Sequence, residues 1–233
     1  MAGTELKILS AGAVKRGVSR IAAEFERTTG TRVAVQFSTA PELRKRMTGG
    51  ESADVIVAPP AVMDDIAQQG KLLTDTRAFL GRSRMGVVVH ADAAPPDVRD
   101  TAAFNTVLEG ATAVVYNRAS SGVYAARLLE KLGLAEKLKS RIVVVDTGGA
   151  VMEYVGGHAP GAVGLAQISE VMVLIDKGCA VKLAAPLPDE IQNVTSYDAA
   201  ATAASAAQDA ARALVRALTS SEAKQVFAAT GIS

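Results

Sequence analysis

Two periodicities take turns along this chain. Leu6 to Leu9 form a short apolar run. Val14, Val18, Ile21, Ala22 and Phe25 then recur at three- and four-residue spacing, which predicts an amphipathic helix that Gly30 is placed to end. Residues 32–38 alternate like a strand. Pro41 sits where a first helical position is expected, ahead of "ELRKRM". Residues 54–58 predict a third strand, followed by a helix over 61–69 with Gly70 as its stop. Further strands are predicted at 84–90, 111–116, 141–145, 161–166 and 181–187, with helices over 122–138 and 149–156. The last 26 or so residues, from Ala207, read as helix, with Ala211, Leu214, Val215, Leu218, Val226 and Phe227 as the apolar stripe. Strands alternating with crossover helices predict an α/β fold with a mostly parallel sheet.

In such sheets a ligand lies at the carboxyl ends of the strands, so the residues at each strand-to-helix junction matter. They are Ser10-Ala11-Gly12-Ala13, Ser38-Thr39-Ala40, Ala58-Pro59-Pro60, Ala119-Ser120-Ser121-Gly122 and Thr147-Gly148-Gly149. Small hydroxyl residues and glycines recur there. At any one corner they can simply cap a helix, whose first amides lack partners. If several corners converge, their free amides and helix dipoles bind an anion without formal charge.

Composition narrows the choice. The 233 residues carry a formal net charge of +1, so no strong field points to nucleic acid. The single cysteine, Cys179, excludes an internal disulfide framework, and the two histidines, His90 and His158, make a zinc site or a Ser-His-Asp arrangement an unpromising reading. No metal and no cofactor is expected. No apolar run approaches the roughly 18 residues of a membrane span, so no stable membrane insertion is expected. The start "MAGTELKILS" has no signal-peptide core. The expected location is therefore periplasmic if a leader is removed and cytoplasmic otherwise.

The segments "AGAVKRGVSRIAAEFERTTGTRVAVQFSTAPELRKRM" and "ADVIVAPPAVMDDIAQQGKL" resemble the opening of bacterial molybdate-binding proteins that serve ATP-binding-cassette (ABC) transporters. The resemblance continues through "SSGVYAARLLEKLGLAEKLK" to "ALTSSEAKQVFAATGIS". It implies a two-lobed type II periplasmic binding fold, with residues 1–81 plus 195–233 as a discontinuous first lobe and 82–194 as the second. It also implies a small anion clamped in a cleft between the lobes, a possible ABC transporter permease as partner, and a monomer. The family's oxyanion-binding serines and tyrosine fall here on Ala13, on Ala40 or Pro41, and on Leu165, so the molybdate shell is not kept. A branch of the same family is a nearer match. It is carried by Gly81-Arg82-Ser83-Arg84-Met85-Gly86-Val87, Ser121-Gly122-Val123-Tyr124, Gln167-Ile168-Ser169-Glu170 and residues 186–192, "PLPDEIQ". Aconitate isomerase is similar to that branch, which brings organic carboxylates into the ligand class.

The expected ligand-binding set is Ser10, Ala11, Gly12, Ala13, Ser38, Thr39, Arg82, Ser83, Ser120, Ser121 and Gln167. Arg82 lies where the chain crosses between lobes and can grip a carboxylate with two parallel hydrogen bonds, with Arg84 and Arg118 as rivals. Of Ser120 and Ser121, one is expected to cap the helix and the other to meet the anion. Gln167 both donates and accepts. Glu170 reads as a helix cap or a surface acid, His158 as part of an exposed turn, and Tyr124 as core or cleft lining. Two functions follow: a non-catalytic binding protein, or an isomerase that moves a double bond in an unsaturated polycarboxylate. For the second, the base is left open among Tyr116, His158 and Glu170.

Overall fold

The computed structural model describes residues 5–233. The chain forms two compact units: the chain up to Arg82 together with Thr195–Ser233, and Ser83–Val194.

The first unit begins with β1 (Glu5–Ala11), α1 (Lys15–Thr29), β2 (Arg32–Ser38), α2 (Ala40–Thr48), β3 (Val55–Ala58) and α3 (Pro60–Gln68). The long strand β4 (Ala78–His90) carries the chain out. The second unit adds α4 (Thr101–Gly110), β5 (Ala113–Asn117), α5 (Ser120–Lys131), α6 (Ala135–Leu138), β6 (Ile142–Val145) and α7 (Gly148–Gly157). It continues with β7 (Ala162–Gln167), α8 (Ile168–Asp176) and β8 (Val181–Pro186). Strand β9 (Val194–Ala201) returns the chain to the first unit, which ends with α9 (Gln208–Leu218) and α10 (Ser221–Ala228).

In the first unit, β1 pairs in parallel with both β2 and β3, with Ala11 opposite Ser38 and Ser10 opposite Val57. All three strands therefore end at one edge. β9 runs antiparallel against β3. The core is a single apolar layer set, in which Val18, Ile21 and Phe25 of α1 meet Leu214, Leu218 and Phe227 of the last two helices.

The second unit's sheet has its apolar positions sorted by face. Val87, Val89, Val114, Tyr116, Val163 and Leu165 pack with Phe104, Leu108 and Leu128 of the α4 and α5 side. Val88, Ala113, Val115, Ala162 and Ala166 pack with Val151, Met152 and Val155 of α7. This is the period-two alternation of strands buried on both faces. β5 pairs in parallel with β6 and β7, while β4 runs antiparallel to β7 and β8. The carboxyl ends of β5, β6 and β7 thus share one edge, and Ser83 lies two residues before Met85, which faces Gln167.

Several elements depart from the sequence pattern. The helix expected over 122–138 is two, α5 and α6, because the chain turns at Gly133 and the Leu134 amide closes back on the Leu129 carbonyl at 2.8 Å. The single C-terminal helix is likewise two, with Ser220 accepting from the Ala223 amide at 3.1 Å to start α10. Helices α4 and α8 and strand β9 had no predicted counterpart. In α8 the run Val171-Met172-Val173-Leu174-Ile175 is apolar throughout, so a 3.6-residue period has no contrast to show.

Arg82 groups with the first unit. Its N–H donates to the Ser233 carbonyl at 2.6 Å, and its carbonyl accepts from the Ser233 amide at 2.9 Å. Ile232 beside it is buried. Ile232→Ala is expected to cost about 2–4 kcal/mol, the usual range for truncating a buried isoleucine, read as a lower urea midpoint by circular dichroism.

Candidate functional site

The second unit carries the denser polar edge. At the end of β5, Asn117 is buried, and its side-chain amide organises the corner that opens α5. Its Oδ1 accepts from the Ala119 amide at 2.8 Å and the Gly122 amide at 3.3 Å, while its Nδ2 donates to Ser121 Oγ at 3.0 Å. The helix packs so closely on this strand end that a methyl on Gly122 would fall 1.5 Å from the Asn117 carbonyl oxygen. Neither serine caps α5: the N-cap residue is Ala119, without a side-chain bond. The expected division of labour between Ser120 and Ser121 is therefore corrected, because Asn117 does the capping work. Ser121 is buried and is tied to the same side chain, accepting from Asn117 Nδ2 at 3.0 Å and donating to Asn117 Oδ1 at 3.4 Å. Ser120 is exposed. Asn117 was missed by sequence reasoning; its place as the last residue of an apolar strand was the available signal.

At the end of β7, Gln167 and the fully buried Ser83 form a short hydrogen bond, Oγ to Oε1 at 2.6 Å, and Ser169 Oγ lies 3.4 Å from Ser83 Oγ. Ser83 donates to Gln167, so the acceptor end of that amide is committed and its NH2 end is left to donate. The start of α8 has no side-chain cap either. By contrast, α7 is capped by Thr147, whose Oγ1 accepts from the Ala150 amide at 3.1 Å.

Glu170 departs most from expectation. At the third position of a helix a glutamate ordinarily reaches back to the N-cap amide or faces water. Here it is half-buried and makes no such capping bond. Its Oε2 is buried without a hydrogen-bond partner. It lies across the first turn of α7, where a methyl on Gly148 would fall 2.0 Å from that oxygen. Burial alone raises its proton affinity above the ordinary carboxylate value.

The other base candidates differ from Glu170 in protonation or in place. Burial, with Glu130 adding to it, pushes the Tyr116 phenol up, which keeps it protonated at neutral pH. His158 stacks on Tyr154 at 4.0 Å, at the far end of α7, about 15 Å from its start by helical rise. Tyr124 is half-buried and donates to the Ile191 carbonyl at 2.9 Å.

In the first unit, the corners after β1 and β2 differ in kind. Ser10 is fully buried and donates to the Ala11 carbonyl at 3.1 Å. Gly12 is exposed and Ala13 half-buried, in a single 3-10 turn without a side-chain cap. Thr39 caps α2, accepting from the Glu42 amide at 3.4 Å. Ser38 Oγ accepts from Arg46 at 2.9 Å, and Arg46 is held by Glu51 at 2.6 Å, so the Ser38 hydrogen remains available. The Arg46 guanidinium and the Lys7 ammonium together hold the Glu51 carboxyl at about 2. Arg82 is exposed, with its guanidinium 5.2 Å from the Phe79 ring centre. Among the described residues it forms no ion pair, whereas Arg84 pairs with Asp189 and Arg118 with Asp146.

A family model of bacterial extracellular solute-binding proteins matches residues 6–233. The chain belongs to that family. Aconitate isomerase from Pseudomonas sp. is 27% identical over 237 residues, covering 98% of this chain and 87% of that one. The substrate-binding domain described as that of a molybdenum ABC transporter from Clostridium difficile superposes with a TM-score of 0.79 at 20% identity, over 99% and 98% of the two chains. The periplasmic molybdate-binding protein of Azotobacter vinelandii gives 0.75 at 18% identity, over 98% of each. These likenesses establish the two-lobed periplasmic binding fold of this solute-binding protein. Among its described residues no helix is long and apolar enough to cross a membrane.

Gly122→Ala is expected to cost about 3 kcal/mol or more, the upper end for overpacking, because backbone rather than a flexible side chain stands in the way; a thermal melt checks it. Glu170→Gln is expected to raise the Tm by a few degrees at pH 8 and to leave it nearly unchanged at pH 4. The sign follows from linkage: a carboxyl whose proton affinity is raised in the folded state loses stability as pH climbs above its unfolded value near 4.5. Melts across that range read the difference.

Proposed function

We propose that this solute-binding protein takes up a small organic carboxylate. Donors at the carboxyl edges of its two units replace the water such an anion gives up. The observation that carries this reading is the chemistry of the second unit's edge. Gln167 NH2 and the uncapped start of α8 are donors, and they bring no formal positive charge. In the first unit the Arg82 guanidinium forms no ion pair among the described residues, and it supplies the bidentate grip that Arg84 and Arg118, each already paired, do not. Ser10, Ala11, Gly12, Ala13, Ser38, Thr39, Ser83 and Ser120 complete the proposed set. Carboxylate is favoured over molybdate because the family's tyrosine position is Leu165, fully buried in the apolar core. In this reading the protein works as a monomer outside the cytoplasmic membrane and passes its ligand to an ABC transporter permease.

A second reading has its own support. The match to an aconitate isomerase runs over 98% of the chain. On that reading the same donors bind an unsaturated polycarboxylate and stabilise the charge that develops as its double bond moves.

A thermal-shift panel of molybdate, tungstate, sulfate, citrate, cis-aconitate and trans-aconitate tests the ligand class. A ligand at 100 times its Kd adds about 2.7 kcal/mol of stability, so a carboxylate is expected to raise the Tm by several degrees. Shifts with the tetrahedral oxyanions alone would reject the carboxylate class. Arg82→Ala is expected to weaken the carboxylate by about 1.5–3 kcal/mol, the scale of a charge-assisted hydrogen bond. Unchanged affinity by calorimetry would place Arg82 outside the site.

A further inference from the structure

The second unit holds one buried group that anion binding does not use. Glu170 carries an oxygen sealed from water with no hydrogen-bond partner. Leaving a carboxyl oxygen in that state costs stability, and a sequence tolerates such a cost mainly where the group does something. Its position is defined by packing. The carboxyl occupies the space beside the first residue of α7 that any side chain at Gly148 would fill. Glu170 is three residues from Gln167 and one from Ser169, on the first turn of α8, of which Gln167 is the N-cap residue. Burial is the cause that raises its proton affinity. Of the other two groups considered as base, Tyr116 stands near the end of β5 with burial pushing its phenol up, and His158 lies at the far end of α7.

We propose that Glu170 is the catalytic residue that transfers the proton in a 1,3-shift of the double bond of an unsaturated tricarboxylate held at this edge. This rests on the isomerase reading given above. The carboxylate of Glu170 removes a proton from the methylene carbon adjacent to a substrate carboxylate. The electrons of that C–H bond form the new double bond. Those of the old double bond pass to its far carbon, which takes the proton back from the Glu170 carboxylic acid. Atoms and charge balance with one side chain and no oxidant, reductant or cofactor. Negative charge spreads onto the substrate carboxylate during the shift, and the Gln167 NH2 group and the open amides of α8 are donors suited to it. A buried, raised carboxyl suits the task, since it is a stronger base than an exposed one and returns its proton readily at neutral pH.

The test is the interconversion of trans-aconitate and cis-aconitate by the purified chain in deuterated water, followed by proton NMR, with Glu170→Gln and Glu170→Asp beside the parent. The parent is expected to turn over and to incorporate deuterium at the methylene carbon. Glu170→Gln is expected to lose about 10²–10⁴ in kcat, the usual contribution of a general base, with KM changed less than about threefold. Glu170→Asp, an acid drawn back by one methylene, is expected to retain partial turnover. A parent that turns over while Glu170→Gln stays within about threefold of it removes Glu170 from the chemistry and leaves the isomerase reading standing. A parent that shows no interconversion of the two isomers, whether or not trans-aconitate raises its Tm, rejects the isomerase reading and this assignment with it.

Discussion

A dissolved carboxylate is surrounded by water dipoles, and a protein that strips them away must return an equivalent set of donors at fixed positions. Everything distinctive about the polar edges of this chain answers that requirement. Ordinary α/β units close the open amides of their helices with serine, threonine or aspartate. Here Thr39, Asp100 and Thr147 do so, while the helices after β5 and β7 begin at Ala119 and Gln167 with no such bond. At the β5 junction Asn117 closes the Gly122 amide from the preceding strand, whereas the start of α8 after β7 is left open. Dipoles held by a folded backbone need no reorganisation when the anion arrives, which is why a chain of formal net charge +1 has the means to bind one.

The supporting contacts decide which way each polar group points. Asn117 spends its oxygen on two backbone amides and exchanges hydrogen bonds with Ser121, so both side chains are committed to the corner. Ser83 spends its hydrogen on Gln167, leaving the Gln167 nitrogen free. Arg46 does the same for Ser38 in the first unit, with Glu51 holding Arg46 in turn. Each of these last two relays converts an ambidextrous side chain into a donor. Glu170 runs against this pattern, as an acceptor without a donor among groups arranged to donate. The buried carboxyl and the donors around it form a chemical asymmetry that simple anion capture does not call for.

Much of the architecture was legible in the alternation of periods. The strands predicted at 32–38, 54–58 and 161–166 correspond to β2, β3 and β7, each short, apolar and bounded by turn residues. The polar corners were legible for the same reason, since a serine or glycine that ends an apolar strand contrasts with what precedes it. Elements without contrast were not: α8 is apolar on every face over five residues, and the breaks at Gly133 and Ser220 interrupt patterns that remain in phase across them.

The sequence by itself determined the α/β class, the donor-rich junctions and the family resemblance, because these depend on the order of residue types along the chain. Only the tertiary structure decided which hydroxyls are committed and which are free, because a hydrogen bond such as that from Ser83 to Gln167 joins residues 84 positions apart. It likewise decided among the arginines, since Arg84 meets Asp189 and Arg118 meets Asp146 only once the strands are paired. Above all it decided Glu170. Four residues of sequence make it a helix-capping or surface acid, but the close packing of α7 on α8 takes it out of water and leaves its proton as the variable.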